Sequence, residues 1–249
     1  MRVLILGGTG EARELAQALD GQSAYQLTSS LAGRVRNPKL PAGDVRIGGF
    51  GGVEGLAGYL RGESVQAVVD ATHPFAATIT AHAVQASHAA GVPLLLLRRP
   101  GWQAMAGDDW RRVPDIGAAA QLTEALPPGC VMLTTGRRDL AAFSSDAGHS
   151  YLVRTVDPPD GAMPPRSTLL LDRGPYTVPG ESALMAEHDV CALVTKDSGG
   201  ELTVAKLIAA RDRRIPVIMV NRPELPAGTA VVDQVQAAVD WLRAGPPAS

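Results

Sequence analysis

Short apolar runs alternate with alanine- and leucine-rich segments along almost the whole chain. In the first part, residues 3–6, 25–29, 45–47, 67–71 and 93–97 are predicted strands, and residues 11–19, 53–61 and 76–90 are predicted helices. Apolar strands that alternate with helices are typical of a parallel sheet covered by helices on both faces. The first 98 residues are therefore predicted to form one α/β domain.

The same alternation restarts after the polar stretch at residues 98–101. Predicted strands follow at 110–113, 131–134, 151–156, 169–171, 190–195 and 216–220, with predicted helices at 116–126, 140–143, 181–187, 203–211 and 234–243. The chain has 249 residues, close to the length at which one hydrophobic core divides into two. We predict an α/β fold of two Rossmann-like three-layer units with mainly parallel sheets, residues 1–98 and 99–249, and an active site in the cleft between them.

Composition restricts the kind of partner. The chain has 23 basic and 25 acidic residues, so its net charge of −2 gives no field that attracts nucleic acid or a membrane surface. Cys130 and Cys191 lie in strand-like runs, which favours buried, reduced thiols. The chain opens on a predicted strand, without an export signal or membrane span. We expect a cytoplasmic protein without nucleic-acid or membrane partners; a monomer is compatible with the sequence, which leaves the oligomeric state open.

The loop after the first predicted strand is rich in glycine. Residues 7–13 read Gly-Gly-Thr-Gly-Glu-Ala-Arg, and a helix is predicted to begin at Glu11. Backbone amides and the positive end of a helix dipole at one point suit a phosphate group. The predicted cofactor-binding residues in this loop are Gly8, Thr9, Gly10, Glu11 and Ala12. Arg13 replaces the third glycine of the usual dinucleotide fingerprint, so the helix is expected to pack less closely on its strand, and a tight turn without a nucleotide remains the alternative.

The end of the second predicted strand favours NADP over NAD. NAD enzymes commonly carry an acidic residue there, which binds the ribose hydroxyls. This chain has Ser29, Ser30, Gly33 and Arg34 instead, and hydroxyl and guanidinium groups are suited to a 2′-phosphate. NADPH is therefore the predicted cofactor. A serine-rich loop with a solvated arginine is the alternative for this segment taken alone.

Thr72 and His73 follow another buried predicted strand, which ends at Asp70. The carboxyl ends of such strands form the ligand crevice of open α/β sheets, so both residues are predicted to contact the cofactor, and His73 is a candidate proton donor. The alternative for His73 is a cap on the following helix.

The remaining histidines lack the spacing of metal ligands, and His149 is expected to have no acidic partner, so no metal site is predicted.

Four loops of the second predicted domain carry basic or small polar side chains. They lie at residues 134–138, 172–176, 195–200 and 221–223, each after a predicted strand, and are expected to line one edge. Their predicted substrate-binding residues are Arg137, Arg138, Arg173, Lys196, Ser198 and Arg222, and Lys196 and Asp197 are further catalytic candidates. Such an edge suits a ligand with several carboxylates, whereas each cation by itself would also fit a solvated loop.

The sequence resembles the precorrin-6A reductases of corrin biosynthesis over nearly its whole length. The resemblance rests on residues 7–13, Asp70 to Ala76, Arg173-Gly174-Pro175, residues 196–200 and Arg222-Pro223, in that order. It implies transfer of a hydride from C4 of NADPH to C19 of a polycarboxylate tetrapyrrole, with a proton reaching C18, to give precorrin-6B. A cobalt-containing substrate, as used in the anaerobic route, remains open at this point.

Two further functions compete with this expectation. Extended short-chain dehydrogenases also open with Gly-Gly-Thr-Gly, but their catalytic Tyr-x-x-x-Lys is missing, because the four tyrosines are followed four positions later by Ser29, Glu63, Thr155 and Gly180. A non-enzymatic NADPH sensor, whose basic edge meets a protein partner, is the second alternative. Oxidation of NADPH on addition of precorrin-6A would separate the reductase from a sensor.

Overall fold

The computed structural model describes residues 1–33 and 40–246, and it divides into two compact units. Met1–Pro100 and the stretch that begins at Pro223 form the first unit, and Gly101–Arg222 forms the second. This division differs from the predicted domains 1–98 and 99–249, because the residues after Arg222 return to the first unit.

Strands and helices alternate through both units. The strands are β1 (Arg2–Leu6), β2 (Gln26–Leu31), β3 (Asp44–Ile47), β4 (Ala67–Asp70), β5 (Leu94–Leu97), β6 (Trp110–Val113), β7 (Cys130–Leu133), β8 (Ser150–Thr155), β9 (Ser167–Leu171), β10 (Val190–Lys196), β11 (Val217–Val220) and β12 (Ala230–Val232). The α-helices are α1 (Gly10–Leu19), α2 (Gly52–Gly62), α3 (Ala77–Ala90), α4 (Ile116–Glu124), α5 (Val178–Glu187), α6 (Ala205–Asp212) and α7 (Val235–Arg243). Each predicted strand has a counterpart, the helix predicted at 140–143 is a 3₁₀ helix, and β12 was not predicted.

The first unit contains a six-stranded sheet in the order β3-β2-β1-β4-β5-β12, and all neighbouring strands are parallel. This is the strand order 3-2-1-4-5-6 of dinucleotide-binding folds. The sixth strand comes from the segment after the second unit. The whole second unit is thus inserted between the fifth and sixth strands of the first.

Strand β12 and helix α7 explain why the end of the chain belongs to the first unit. Ala230 pairs with Leu95 of β5, and the Arg98 amide donates a hydrogen bond to the Val232 carbonyl at 2.8 Å. The buried side of α7, with Leu242 at its centre, joins the same core as Leu15 of α1. A three-residue edge strand has too little alternation to be recognised in the sequence, so this return of the chain was missed.

The alternating side chains of β1 build two separate cores. Val3 and Ile5 point to the side covered by α1 and α7, whereas Leu4 and Leu6 point to the side covered by α2 and α3. All four are almost fully buried. A central strand that is apolar on both faces therefore fixes a three-layer arrangement, as the sequence pattern predicted.

The second unit contains a second parallel six-stranded sheet, in the order β6-β11-β10-β7-β8-β9. One core lies between this sheet and helices α5 and α6, where Met132, Leu193 and Met219 pack against Met185 and Leu207. Both units therefore belong to the predicted α/β class.

Two searches of the described residues gave negative results. No helix within residues 1–33 and 40–246 is long and apolar enough to cross a bilayer. In the same part of the chain, no group of three or more His, Cys, Asp and Glu side chains is placed to hold a metal ion.

A buried polar cluster in the second unit surrounds Asp146. Its carboxylate accepts hydrogen bonds from the Tyr151 hydroxyl and, at 2.7 Å, from the Gly148 amide, and lies 2.7 Å from Nδ1 of His149. The second ring nitrogen of His149 lies 3.2 Å from the Pro127 carbonyl. The expectation that His149 lacks an acidic partner is therefore wrong.

Replacement of Asp146 tests the contribution of this cluster. Burial acts to raise the pKa of Asp146, but the hydrogen bonds from Tyr151, Gly148 and His149 outweigh it and lower the pKa. A lowered carboxyl pKa stabilises the fold above the unfolded value of about 3.9, and this contribution is lost as the pH falls through the folded-state pKa. We expect Asp146→Asn to lower the free energy of unfolding by about 2–3 kcal/mol at neutral pH, and by less in acid.

Urea unfolding at several pH values measures this effect. Asp109→Asn is the matched control, because the Asp109 side chain is 56% exposed and pairs only with Arg111 in an exposed contact. Equal stability of the two variants at neutral pH would contradict the assignment.

Candidate functional site

The carboxyl ends of β1 and β4 form the switch point of the first sheet. From β1 the sheet continues through β2 and β3 on one side and through β4 and β5 on the other. Ligands of open parallel sheets bind at such a point, because the connections from the two neighbouring strands diverge there. The segments 7–12 and 71–76, in which the sequence predicts cofactor contacts, follow β1 and β4 directly. The fold thus brings them together.

Thr9 caps α1 and ties the two loops to each other. Its Oγ1 accepts a hydrogen bond from the Ala12 amide at 3.1 Å and donates one to the Ala71 carbonyl at 2.7 Å. The neighbouring Gly8 has a φ of +119°, and no atom lies within 4 Å of the place that a Cβ would occupy. The loop is therefore held from one side and open to a ligand at Gly8, next to the positive end of α1.

Gly7 and Ala12 lie where α1 packs on the sheet, and a Cβ at Gly7 would make ordinary van der Waals contacts there. A Cβ at Gly7 would lie 3.5 Å from the Ala12 Cβ and 3.7 Å from the Ser30 carbonyl oxygen. Arg13, which takes the place of the third glycine in the fingerprint, is not among the residues of α1 that join the core. Arg13 therefore does not separate the helix from the sheet.

Glu11 lies in the first turn of α1 and pairs with Arg99. The distance from Arg99 Nη1 to Glu11 Oε2 is 2.8 Å, and both side chains are more than three quarters buried. A negative charge beside a helix start would repel a bound phosphate, and the guanidinium compensates for it. The contact links the start of α1 to the segment after β5.

Asp70 is a fully buried carboxylate at the end of β4. Its Oδ1 accepts hydrogen bonds from the Thr72 amide at 2.9 Å and the Thr72 hydroxyl at 2.6 Å. Its Oδ2 accepts from Thr80 Oγ1 and Arg98 Nη2, each at 2.7 Å. Arg98 Nη1 also donates to the carbonyls of Asp70, Thr72 and Leu97. This network fixes the loop that follows β4.

Thr72 and His73 occupy the fixed part of that loop. The Thr72 hydroxyl donates to Asp70, so its first role is to hold the loop. The His73 Nδ1 accepts a hydrogen bond from the Phe75 amide at 3.3 Å, and the His73 carbonyl accepts one from the Ala76 amide at 2.7 Å. Acceptance at Nδ1 selects the neutral tautomer that carries its proton on Nε2.

The end of β2 presents two buried hydroxyls. Among the described residues, Ser29 Oγ has no hydrogen-bond partner, whereas Ser30 Oγ accepts from Arg46 Nη1 at 3.3 Å. Gly33 follows with a φ of +68°. Arg34, which the sequence predicts to bind a 2′-phosphate, lies outside the described residues. Arg46, at the end of β3, was not predicted to belong to this site.

The second sheet has its own switch point, between β7 and β10. Strands β8 and β9 lie beyond β7, and strands β11 and β6 lie beyond β10. The four loops with predicted substrate-binding residues follow β7, β9, β10 and β11, and the sheet is parallel throughout, so they lie at one edge. Lys196 ends β10, and its Nζ lies 2.5 Å from Oδ2 of Asp139, which follows β7. This ion pair spans the second switch point.

Asp197 is buried and holds several segments of the second unit. Its carboxylate accepts hydrogen bonds from the Trp102 amide at 2.9 Å and from Arg112 Nη1 at 3.1 Å. A Cβ on Gly101 would lie 2.9 Å from Asp197 Oδ2. The Asp197 carbonyl accepts a hydrogen bond from Nε of Arg222 at 2.8 Å, which places the predicted residue Arg222 beside the loop after β10.

Arg137 and Arg138 line a pocket of about 280 Å³ together with Ala141 and residues 160–162. Arg137 Nη1 donates to the Pro158 carbonyl at 3.2 Å and lies 3.2 Å from the exposed carboxylate of Asp160. Arg138 is exposed. The pocket therefore carries two cations and the Asp160 carboxylate.

Arg173 and Ser198 complete the predicted set. Ser198 follows Asp197, and its amide donates to the Lys196 carbonyl at 2.7 Å in a tight turn. Arg173 is exposed after β9, two strands away from β7. With a strand spacing of about 4.8 Å, it lies roughly 10 Å or more from the loop after β7. The fold therefore groups Lys196, Ser198 and Arg222 closely and sets Arg173 apart.

Comparisons with known proteins agree on one family. Residues 2–243 match the family model described as "Precorrin-6x reductase CbiJ/CobK". The chain belongs to the precorrin-6x reductase family. Precorrin-6A reductase of Rhodococcus erythropolis is 54% identical, over 97% of each chain. A solved structure named CobK precorrin-6A reductase covers 100% of this chain and 98% of its own, with 43% identity and a TM-score of 0.91. Cobalt-precorrin-6A reductase of Priestia megaterium is 28% identical, over 91% of this chain and 92% of its own.

This precorrin-6x reductase contains a buried charge cluster that the sequence did not indicate. Arg154 pairs with Glu181, at 2.5 Å for the shorter contact, and its guanidinium lies 3.9 Å from the Tyr176 ring centre. Lys206 is completely buried beside them, 5.3 Å from the Trp102 ring centre. Burial lowers the pKa of Lys206 to about 7, and the charge of Arg154 acts in the same direction. These residues come from β8, α5 and α6, and only their spatial meeting reveals the cluster.

Other residues of this family member were missed for a similar reason. Arg98 and Arg99 were assigned to a polar connection between domains, although they follow β5 and therefore lie at the carboxyl edge of the first sheet. The sequence contained a signal for this position, because in an alternation of parallel strands and helices the residues after each strand lie at the carboxyl edge of the sheet. Trp102, which donates from Nε1 to the Gly200 carbonyl at 3.0 Å, had no sequence signal at all.

The buried pair of Asp70 and Arg98 can be tested by substitution. Arg98→Met leaves the Asp70 carboxylate without its cation, and breaking such a buried pair costs about 3–5 kcal/mol. We expect this loss in the free energy of unfolding of the first unit, measured in urea. The double variant Asp70→Asn, Arg98→Met removes both charges and is expected to recover part of the loss.

Arg243→Met is the matched control for this cycle, because the Arg243 side chain is 55% exposed in the same unit. A loss for Arg98→Met no larger than that of the control would show that the network does not stabilise the loop.

Proposed function

We propose that the chain reduces precorrin-6A to precorrin-6B with NADPH as the reductant. The observation that carries this proposal is 54% identity to a precorrin-6A reductase along 97% of both chains. The strand order of the first unit, which is that of dinucleotide-binding folds, supports a nicotinamide cofactor independently. The alternatives of a short-chain dehydrogenase and of a sensor have no comparable support.

The first switch point fits a dinucleotide. Gly8 leaves space for a pyrophosphate, the amides at the start of α1 supply donors, and Thr9 holds this loop against the loop after β4. We assign the predicted residues Gly8, Thr9, Gly10, Glu11, Ala12, Ser29, Ser30, Gly33, Arg34, Thr72 and His73 to cofactor binding. Bound NADPH supplies a hydride from C4 of its nicotinamide, which we assign to C19 of the macrocycle.

The second switch point fits a substrate with several carboxylates. Its edge carries the cations of Arg137, Arg138, Lys196 and Arg222, with Arg173 farther along the sheet, and Ser198 offers a hydroxyl. Guanidinium groups bind carboxylates through paired, charge-assisted hydrogen bonds. We therefore propose that these residues hold the acid side chains of the tetrapyrrole and fix the orientation of its ring.

His73 and Lys196 are the candidates for delivery of a proton to C18. Lys196 carries a transferable proton as an ammonium whose position Asp139 fixes. The His73 Nδ1 accepts from the Phe75 amide, so His73 must first take up a second ring proton before it can donate one. The Asp197 carboxylate already accepts from Trp102 and Arg112, so we assign Asp197 to positioning of the loop that contains Lys196 and Ser198. This replaces its predicted role as a catalytic group.

Cobalt-free precorrin-6A is the proposed form of the substrate. The identity of 54% to a precorrin-6A reductase, against 28% to a cobalt-precorrin-6A reductase, supports this choice. We also propose a cytoplasmic location, which is supported by the free thiols of Cys130 and Cys191. Cys130 is half-buried and Cys191 is exposed, so the expectation that both are buried is wrong.

A spectrophotometric assay tests the proposed function. The loss of reduced-nicotinamide absorbance is followed with NADPH or NADH, in the presence of precorrin-6A, cobalt-precorrin-6A or no substrate. We expect oxidation that requires precorrin-6A and is faster with NADPH. Tight binding of NADPH without oxidation at any pH would contradict the enzyme, and faster reaction of the cobalt form would contradict the substrate assignment.

Substitution of Arg137 and Arg173 tests the carboxylate-binding edge. Arg137→Met and Arg173→Met are each expected to raise the KM for precorrin-6A by about tenfold, with little effect on the Kd for NADPH. Because the two side chains lie on loops separated by two strands, their free-energy losses are expected to add in the double variant.

Arg111→Met provides the matched control, since Arg111 is an exposed arginine of β6 that pairs with Asp109. An unchanged KM in both test variants would place the substrate carboxylates elsewhere.

A further inference from the structure

Arg46 lies next to the end of β2, although it belongs to β3. The parallel register of the two strands pairs Ser30 with Arg46. Arg46 Nη1 donates to Ser30 Oγ at 3.3 Å. In dinucleotide-binding folds, the residue at the end of the second strand determines how the adenosine ribose is bound, and an acidic residue there selects NAD. This chain places a guanidinium at the corresponding point.

The Arg46 side chain is held by two backbone carbonyls and two aromatic rings. Nη1 donates to the Gly48 carbonyl and Nη2 to the Gly49 carbonyl, each at 2.6 Å. The guanidinium carbon lies 3.8 Å from the centre of the Phe50 ring and 5.4 Å from that of Tyr59. A fixed guanidinium loses little conformational entropy when it binds an anion, so it binds more tightly than a mobile surface arginine.

The charge of Arg46 is not compensated by a carboxylate. Within the described ranges, no Asp or Glu oxygen lies within 4 Å of its guanidinium nitrogens, although the side chain is partly buried. The connection from β2 to β3, residues 32–43, contains no Asp or Glu in its sequence. A partly buried, uncompensated cation favours an anionic ligand.

The Ser30 hydroxyl supplies a hydrogen-bond donor at the same place. Ser30 Oγ accepts from Arg46, so its own hydrogen is available to a further acceptor. Ser29, the preceding residue of the strand, points to the opposite face of the sheet and is not part of this group.

We propose that Arg46 and Ser30 form the subsite for the 2′-phosphate of the cofactor and thereby select NADPH over NADH. This inference rests on the proposed use of NADPH, and it names the group that recognises it. The guanidinium binds the phosphate oxygens with its Nε hydrogen and its second Nη2 hydrogen, because Ser30, Gly48 and Gly49 occupy the other three, and Ser30 donates a further hydrogen bond.

Titration of the cofactors into variants of the full chain tests the subsite. Arg46→Met removes the charge and keeps an apolar side chain against Phe50, and Arg46→Lys keeps the charge without the planar donor group. Arg61→Met is the matched control, because Arg61 is an exposed arginine of α2 in the same unit. The Kd values for NADPH, NADH and 2′,5′-ADP are measured for each, together with thermal unfolding.

Arg46→Met is expected to raise the Kd for NADPH and for 2′,5′-ADP by about 10- to 100-fold and to change the Kd for NADH by less than about twofold. The Kd of Arg46→Lys for NADPH is expected to fall between those of Arg46→Met and the wild type.

Equal losses of affinity for NADPH and NADH, no loss for either, or a wild type that binds both equally would overturn the proposal. If Arg46→Met does not fold, the Arg46→Lys ratio of NADPH to NADH affinity decides in its place. Oxidation of NADPH by precorrin-6A with an unchanged NADPH preference in the variants would leave the proposed function intact and refute only the subsite.

Discussion

The buried pair of Asp70 and Arg98 is the interaction on which the first unit depends. A carboxylate without solvent exposure is costly unless it is fully hydrogen-bonded, and Asp70 receives bonds from Thr72, Thr80 and Arg98. Arg98 extends the network to three carbonyls, and its own amide donates to Val232 of β12. The same pair therefore fixes the loop after β4 and helps to anchor the strand that returns after the second unit. The loop after β4, which belongs to the proposed cofactor site, is thus held by a buried ion pair.

The second unit uses a related arrangement. Asp197 follows a central strand, as Asp70 ends one, and its carboxylate is held by Arg112 and by the Trp102 amide. From the sequence, such an acid at a strand end resembles a catalytic group, since position alone does not tell whether the carboxylate faces a ligand or a buried arginine. The partner Arg112 comes from β6, 85 residues earlier, and no local pattern connects the two.

Features produced by residues close together in the sequence could be predicted, and features produced by distant residues could not. Apolar alternation is local, so the strands, the parallel class and the loop at residues 7–10 could be predicted. Pairing between distant segments is not local, so β12 was missed, and so was the approach of Arg46 to the end of β2. The prediction for Arg34 lies outside the described residues and stays a prediction. Arg46 reaches the same strand end only through the β2 and β3 register. The proposed reduction requires chiefly the alignment of two bound molecules and the exclusion of water, so a fixed scaffold is the protein's main contribution.

Transfer of deuterium tests the central claim most directly. The enzyme is incubated with precorrin-6A and NADPH that carries deuterium at C4 of the nicotinamide, in each of its two stereochemical forms, and the product is examined by mass spectrometry and NMR. The account predicts that one form gives precorrin-6B with a single deuterium at C19 and that the other gives unlabelled product. Precorrin-6B without deuterium from either form would contradict direct transfer from a nicotinamide cofactor bound to this chain.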